Sequence, residues 1–134
     1  MDKVIVAGVD NLNEVIKSLK NSSIILLKGN LASGKTTLVK EFVKSLGLDS
    51  EVSSPTFSIM NSYQDKVFHY DIYNEGSKKF IESGLLENLE LEGYHFIEWA
   101  DESLEELLKL YGFAFSKVEI VPKDDKREYK ICIN

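Results

Sequence analysis

Residues 23–37 read SIILLKGNLASGKTT. An apolar run ends at a glycine, Gly-Lys-Thr follows five residues later, and a helical pattern comes next. No other stretch restricts the fold as strongly. Gly29, Gly34, Lys35 and Thr36 satisfy the spacing G-x-x-x-x-G-K-S/T. In such a loop the backbone N–H groups turn inward to form an anion cradle, and the following helix directs its positive end at the phosphates. A chain of this length matches that spelling by chance roughly once in a few hundred at average composition. The flanks strengthen the reading: SIILL has the unbroken apolarity of a buried central strand, whereas a mere glycine-rich turn needs neither a strand before it nor a helix after it. The loop residues Asn30, Leu31, Ala32 and Ser33, with Thr37, are therefore expected to surround a nucleotide's phosphates. Lys35 adds a full charge near the β and γ positions, and the Thr36 hydroxyl is suited to Mg²⁺.

The rest of the chain alternates similarly. VIVAG (4–8) reads as a short strand. Leu12, Val15, Ile16 and Leu19 recur at helical spacing, with Asp10 or Asn11 as the expected cap. Leu38, Val39, Phe42, Val43 and Leu46 form a second helical stripe that Gly47 ends. FSIMNSY and KVFHYDIY read as a hairpin turning at Gln64-Asp65. SKKFIESGLLENL suggests a helix broken near Gly84, and GYHFIEW is a strand of high β propensity. DESLEELLKLYG opens with acids and closes on lysine and glycine, as a helix does. SKVEIVP and REYKICIN form a terminal hairpin around KDDK. Helices alternating with strands early and hairpins later predict an α/β architecture. The expected fold is a P-loop NTPase-like mixed sheet with a parallel centre, antiparallel edge hairpins and helices on both faces, residues 1–134 forming a single domain.

The 134 residues are too few for a nucleotide domain plus a separate substrate domain. No apolar run approaches the roughly 20 residues of a membrane span, and the first residues lack the pattern of a signal peptide. With one cysteine, Cys132, an internal disulfide is impossible, and a cytoplasmic location is the simplest expectation. Cys132 itself reads as a small apolar residue of the last strand. The net charge is −6, and Glu75–Glu106 holds ten acidic residues against Lys78 and Lys79. That face disfavours direct contact with RNA or DNA, whose binding depends on neutralising phosphates. It is either a solvated surface or one shaped for a protein partner.

A nucleotide–Mg²⁺ site also needs carboxylates at neighbouring strand ends. Asp71 closes KVFHYD and Glu98 closes YHFIE. One suits Mg²⁺, directly or through water; the other suits orientation of the attacking water or general-base work. Spacing does not assign the two roles. Ser54, Pro55 and Thr56 lie between the loop's helix and the next strand, where a switch can sense the γ-phosphate. Trp99 is a core or rim aromatic, and an exposed tryptophan there would suit a partner. His69 and His95 read as packed histidines, since no partner stands at zinc spacing.

Fifteen of the sixteen basic residues are lysines, and Arg127 is the one arginine. Small-molecule kinases commonly clamp the moving phosphoryl group with arginines under a lid, so that class fits poorly. Arginine fingers contribute roughly 10³–10⁵ in rate where used; a finger in cis is available only if Arg127 folds back to the site. The residues point to a weak ATPase or GTPase whose turnover depends on a partner. GTP is disfavoured by the lack of an N/T-K-x-D signature. A small-molecule kinase and a module that holds ATP without hydrolysing it are the competing readings.

Four segments in order carry a resemblance over nearly the whole chain. GNLASGKTT resembles G-D-L-G-A-G-K-T-T, SSPTF resembles S-P-T-F/Y, FHYDIYN resembles H-x-D-x-Y-R, and FIEWAD resembles I-E-W-P. Together they resemble the TsaE family of bacterial P-loop ATPases in tRNA threonylcarbamoyladenosine biosynthesis. The resemblance implies ATP and Mg²⁺ as cofactors and the TsaD and TsaB proteins as partners, TsaD modifying adenosine 37 of tRNA. It implies that Glu98 and Thr36 bind Mg²⁺, that Asp71 is needed for hydrolysis, and that Arg127 touches the nucleotide from the C-terminal hairpin. The chain departs from the family's pattern at Asn30, Ala32, Ser33, Asn74 and Ala100.

Overall fold

The structure, a computed structural model, describes residues 2–8, 11–29, 34–48, 60–72, 76–82 and 84–133. Its elements are β1 (Asp2–Ala7), α1 (Asn13–Leu19), β2 (Ile24–Lys28), α2 (Lys35–Ser45), β3 (Met60–Tyr63), β4 (Val67–Asp71), α3 (Gly76–Glu82), α4 (Leu85–Asn88), β5 (Tyr94–Glu98), α5 (Glu102–Leu110), β6 (Ser116–Lys123) and β7 (Lys126–Ile133). The strands form one sheet in the order β1-β7-β6-β2-β5-β4-β3. Its centre, β6-β2-β5-β4, is parallel, and β1, β7 and β3 run antiparallel to their neighbours at the two edges. This is the mixed sheet expected, with antiparallel pairing at both edges.

Side-chain alternation on the central strands divides the core in two. Ile25, Leu27, Phe96 and Val118 face α1 and α2, meeting Val15, Leu19, Leu38, Val39 and Phe42. Ile24, Leu26, Tyr70 and Ile97 face the other way, meeting Phe80 of α3 and Leu104 and Leu108 of α5. The helices thus cover both faces, and β2, buried on both sides, is apolar on both, which is why SIILL is unbroken. On α2 the stripe Leu38, Val39, Phe42 and Val43 is almost wholly removed from water, each side chain contributing about 1.5–3 kcal/mol. The Phe42 ring meets Tyr94 and Phe96 edge to face at centroid distances of 4.7 and 5.0 Å. This seats α2 on β5 and fixes where its first turn lies.

The turns follow local chemistry. Gln64 and Asp65 both adopt φ 54°, the doubly left-handed geometry of a tight hairpin. Gly84 separates α3 from α4 at φ 74°. The Asp101 carboxylate caps α5 by accepting from Leu104 N at 2.9 Å. Of the two caps expected for α1, Asp10 lies outside the described residues and Asn11 does not cap it. Its Oδ1 instead accepts from Gly8 N at 2.6 Å, and α1 starts two residues later without a side-chain cap. The amide closes the turn leaving β1, which an Asx residue does as readily as it caps a helix. No helix among the described residues is long and apolar enough to cross a membrane.

Candidate functional site

Because β2, β5, β4 and β6 are parallel, their carboxyl ends lie at one edge of the molecule, where ligands of open α/β sheets bind. β2 delivers Gly29 there, and α2 departs from it. Gly34 stands as the N-cap of α2 at φ 104°, a left-handed conformation that favours glycine. It has a second reason to be glycine. A Cβ here would sit 2.8 Å from Cζ of Arg127, so the guanidinium of the lone arginine lies directly against the start of α2. The arginine arrives because β7 runs antiparallel to β6, turning the tip of the terminal hairpin to the same edge; Arg127 pairs with Pro122 on one side and Ala7 on the other.

Lys35 is the first residue of α2 and only 5 % exposed. Its Nζ donates to Gly29 O at 2.7 Å and lies 4.0 Å from Oε1 of Glu98. It also sits 3.6 Å from the centre of the Trp99 ring, a cation–π contact. Burial pushes the Lys35 ammonium below its ordinary pKa, with the charges of Glu98 and then Asp71 acting against that shift. A desolvated cation facing two carboxylates interacts more strongly with an added anion than a solvated one would.

The two acids are cross-strand partners: Asp71 pairs with Glu98 in the β4–β5 register. Alternation from Val67 and Phe96, which face α2, directs both carboxylates to the α2 side. Glu98 is 3 % exposed and Asp71 is half-buried. The second oxygen of Glu98 accepts a hydrogen bond from Nε2 of His69, which has no exposed surface. Directly after Glu98, Trp99 adopts φ 67°, a conformation that costs a bulky residue on the order of 1–3 kcal/mol and recurs at functional sites. It turns the chain so that the indole meets Lys35.

The structure thus brings together Gly29, Gly34, Lys35, Asp71, Glu98, Trp99 and Arg127. Thr36 and Thr37 follow in the first turn of α2. Asn30, Leu31, Ala32, Ser33, Ser54, Pro55, Thr56 and Asn74 lie outside the described residues. Two features escaped sequence reasoning. One is the His69–Glu98 contact, for which the only sequence signal is that His69 and Asp71, two apart on one strand, must share a face. The other is a lysine–glutamate–lysine cluster behind the loop. Lys28 Nζ reaches Glu105 at 2.6 Å, and Lys117 reaches the other Glu105 oxygen at 3.1 Å. Burial alone would raise the Glu105 carboxyl, but hydrogen bonds from Lys28 and Lys117 outweigh it and hold the group below its ordinary value. Lys28 also donates to Ala100 O at 3.3 Å, tying the strand before the loop to the chain after Trp99. Cys132 is partly buried in β7. Its hydrogen bond to Asp2 and its burial raise the thiol pKa, the opposite of what a nucleophilic thiolate needs.

An oxygen-donor set of this kind suits Mg²⁺, which takes one or two carboxylates and completes its shell with phosphate oxygens and water. Asp71 and Glu98 at adjoining strand tips and Thr36 at the helix start are residues of the types such a set uses.

The family model described as "Threonylcarbamoyl adenosine biosynthesis protein TsaE" matches residues 7–130. The tRNA threonylcarbamoyladenosine biosynthesis protein TsaE of Bacillus subtilis is 35 % identical over 115 residues, covering 81 % of this chain and 68 % of that protein. The protein of the same description from Treponema pallidum is 35 % identical over 92 residues, 66 % of this chain and 68 % of its own length. The crystal structure of Bacillus subtilis YdiB superposes with a TM-score of 0.68 at 23 % identity, covering 100 % of this chain and 88 % of that one; it shares the fold. A match across almost the whole chain, on the segments that build the site, makes this protein a member of the TsaE family.

Proposed function

We propose that the chain binds ATP with Mg²⁺ on the loop from Gly29 to Thr37, hydrolyses it slowly, and thereby supports TsaD and TsaB in the threonylcarbamoylation of adenosine 37 of tRNA. Family membership supports the pathway. The observation that carries the ATPase reading is convergence: the Lys35 ammonium, the Glu98 and Asp71 carboxylates and the Arg127 guanidinium come from α2, β5, β4 and β7 to one sheet edge.

Lys35 exchanges Gly29 O and the Trp99 ring for phosphate oxygens. Glu98 and the Thr36 hydroxyl are the protein ligands for Mg²⁺, which when bound neutralises charge on the β and γ oxygens. Asp71, one strand over from Glu98, accepts a hydrogen bond from the attacking water and aligns it with the γ-phosphorus. Arg127, against Gly34, meets the phosphates as the single cation able to bind them bidentately. Ser54, Pro55 and Thr56 sense the γ-phosphate. Trp99 reports partner binding to Lys35 through their shared contact. The acidic stretch Glu75–Glu106 suits a protein partner, and any direct tRNA contact is secondary. Soluble behaviour in the cytoplasm is part of this proposal.

Phosphate release measured with and without TsaD and TsaB tests it. The expected result is slow turnover alone and a changed rate with the partners; absence of both association and rate change overturns the reading.

A further inference from the structure

The Glu98 carboxylate is held on both sides. One oxygen accepts from His69 Nε2, and the other faces Lys35 Nζ at 4.0 Å. Since a carboxylate only accepts, His69 Nε2 carries the hydrogen, and Nδ1 on the other side of the ring meets the Tyr63 hydroxyl at 3.4 Å. Tyr63 is 5 % exposed and His69 wholly buried. The chain of contacts therefore runs Tyr63–His69–Glu98 from β3 through β4 to β5, shielded from water and ending at the carboxylate beside Lys35. A free carboxylate on a strand tip rotates about its last bond. Here one oxygen is anchored, so the other is held toward Lys35 and the loop.

We infer that His69 is a positioning residue: it anchors one Glu98 oxygen so that the other is presented to the nucleotide-bound Mg²⁺, with Tyr63 setting the orientation of the imidazole. The inference rests on the Mg²⁺–ATP reading above. Outer partners of this kind typically contribute 10- to 100-fold in metal affinity, whereas a histidine that only fills space contributes equally with and without metal.

The experiment reads the affinity of a fluorescent ATP analogue as Mg²⁺ is titrated, with EDTA as the metal-free arm and a thermal melt of each variant. His69→Phe keeps the ring volume and removes the donor. Its Mg²⁺ midpoint is expected to rise about 10- to 100-fold, with metal-free affinity within about twofold of the parent. His69→Gln, which retains an N–H donor, recovers part of the loss. Tyr63→Phe removes only the hydroxyl and moves the midpoint about three- to tenfold in the same direction. If His69→Phe does not fold, the Tyr63→Phe shift decides. An unchanged Mg²⁺ midpoint in folded His69→Phe, or equal losses with and without Mg²⁺, overturns the positioning role. If the parent protein itself shows no Mg²⁺-dependent binding, the ATPase reading fails with it, and the two failures are distinguishable.

Discussion

The molecule's two histidines sit on adjacent strands, both without exposed surface, yet on opposite faces of the sheet. His95 lies among neutral groups. It stacks on Phe68 at a centroid distance of 4.7 Å, its Nδ1 accepts from the Tyr70 hydroxyl at 2.7 Å, and its Nε2 donates to Leu91 O at 2.9 Å. Asn88 donates to the same hydroxyl at 2.9 Å. Burial pushes the Tyr70 phenol to about 12, so it remains a donor. Both imidazole nitrogens and the Tyr70 hydroxyl thus have neutral partners, as a buried structural network requires. His69 faces a carboxylate that in turn faces a lysine. Equal burial thus hides two different roles, and the charge of the partner separates them. The neutral network belongs to the α3–α5 face of the sheet; the charged one lies on the α1–α2 face at its carboxyl end, where the proposed nucleotide site stands.

The sharpest way to break this contrast is to remove charge from the second region alone. Glu98→Gln still offers His69 an acceptor and should leave the melting temperature within a few degrees, while phosphate release falls roughly 10²–10³-fold; Lys35→Ala should match it in activity. A modest loss in either would mean that the charges are not working on a phosphoryl group. The converse change is His95→Ala, which opens a cavity and takes the acceptor from the Tyr70 O–H and the donor from the Leu91 carbonyl. It should cost about 3 kcal/mol in a urea titration and leave the ATP affinity of the folded protein unchanged.

Gly34→Ala tests stability and binding in one substitution. The left-handed backbone costs about 1–2 kcal/mol, and the new methyl group meets the Arg127 guanidinium. Stability should fall by that amount in denaturation, and nucleotide binding should weaken further as Arg127 shifts. Calorimetry of Gly34→Ala beside Arg127→Ala separates the two effects.

The smallest effect is on acid stability. Burial lowers the His95 pKa below its ordinary 6.5, with the Leu91 carbonyl opposing that shift. Below 6.5 the unfolded chain therefore binds a proton before the folded one, so stability declines as pH falls and levels off beneath the folded-state pKa. The Glu105 carboxyl lies below its ordinary 4.5. Its contribution is fully present above 4.5 and is lost as pH falls through the folded-state value. Urea midpoints from pH 7 to 3 should show two declines, the second worth roughly 1 kcal/mol after solvent screening. His95→Gln should remove the first and Glu105→Gln should reduce the second.

Much of this was legible in the residues. The G-x-x-x-x-G-K-T spelling stands out because the chemistry expected of it is local: glycines, lysine and threonine lie within a short span of chain. The hairpin turns at Gln64-Asp65 and around Asp124, the break at Gly84 and the Asp101 cap are equally local. Asp71 and Glu98 could be singled out because each ends an apolar stretch. Asn11 misled because the same side chain can close a turn or cap a helix, and the competing donor, Gly8 N, is decided by where β1 ends. The His69–Glu98 contact was out of reach because it depends on which strand stands beside which.

By itself, the sequence determined most of the elements, the buried central strand β2, and the spelling that leads us to propose an anion site at the start of α2. These follow from periodicity and backbone chemistry over short spans. Only the tertiary structure decided the strand order, and the order is what matters for the site. It sets β4 beside β5 so that Asp71 and Glu98 are neighbours, brings His69 to the carboxylate, and turns the tip of the last hairpin so that Arg127 lies on Gly34. Such contacts between distant segments depend on register and packing of the whole sheet, which no local pattern encodes.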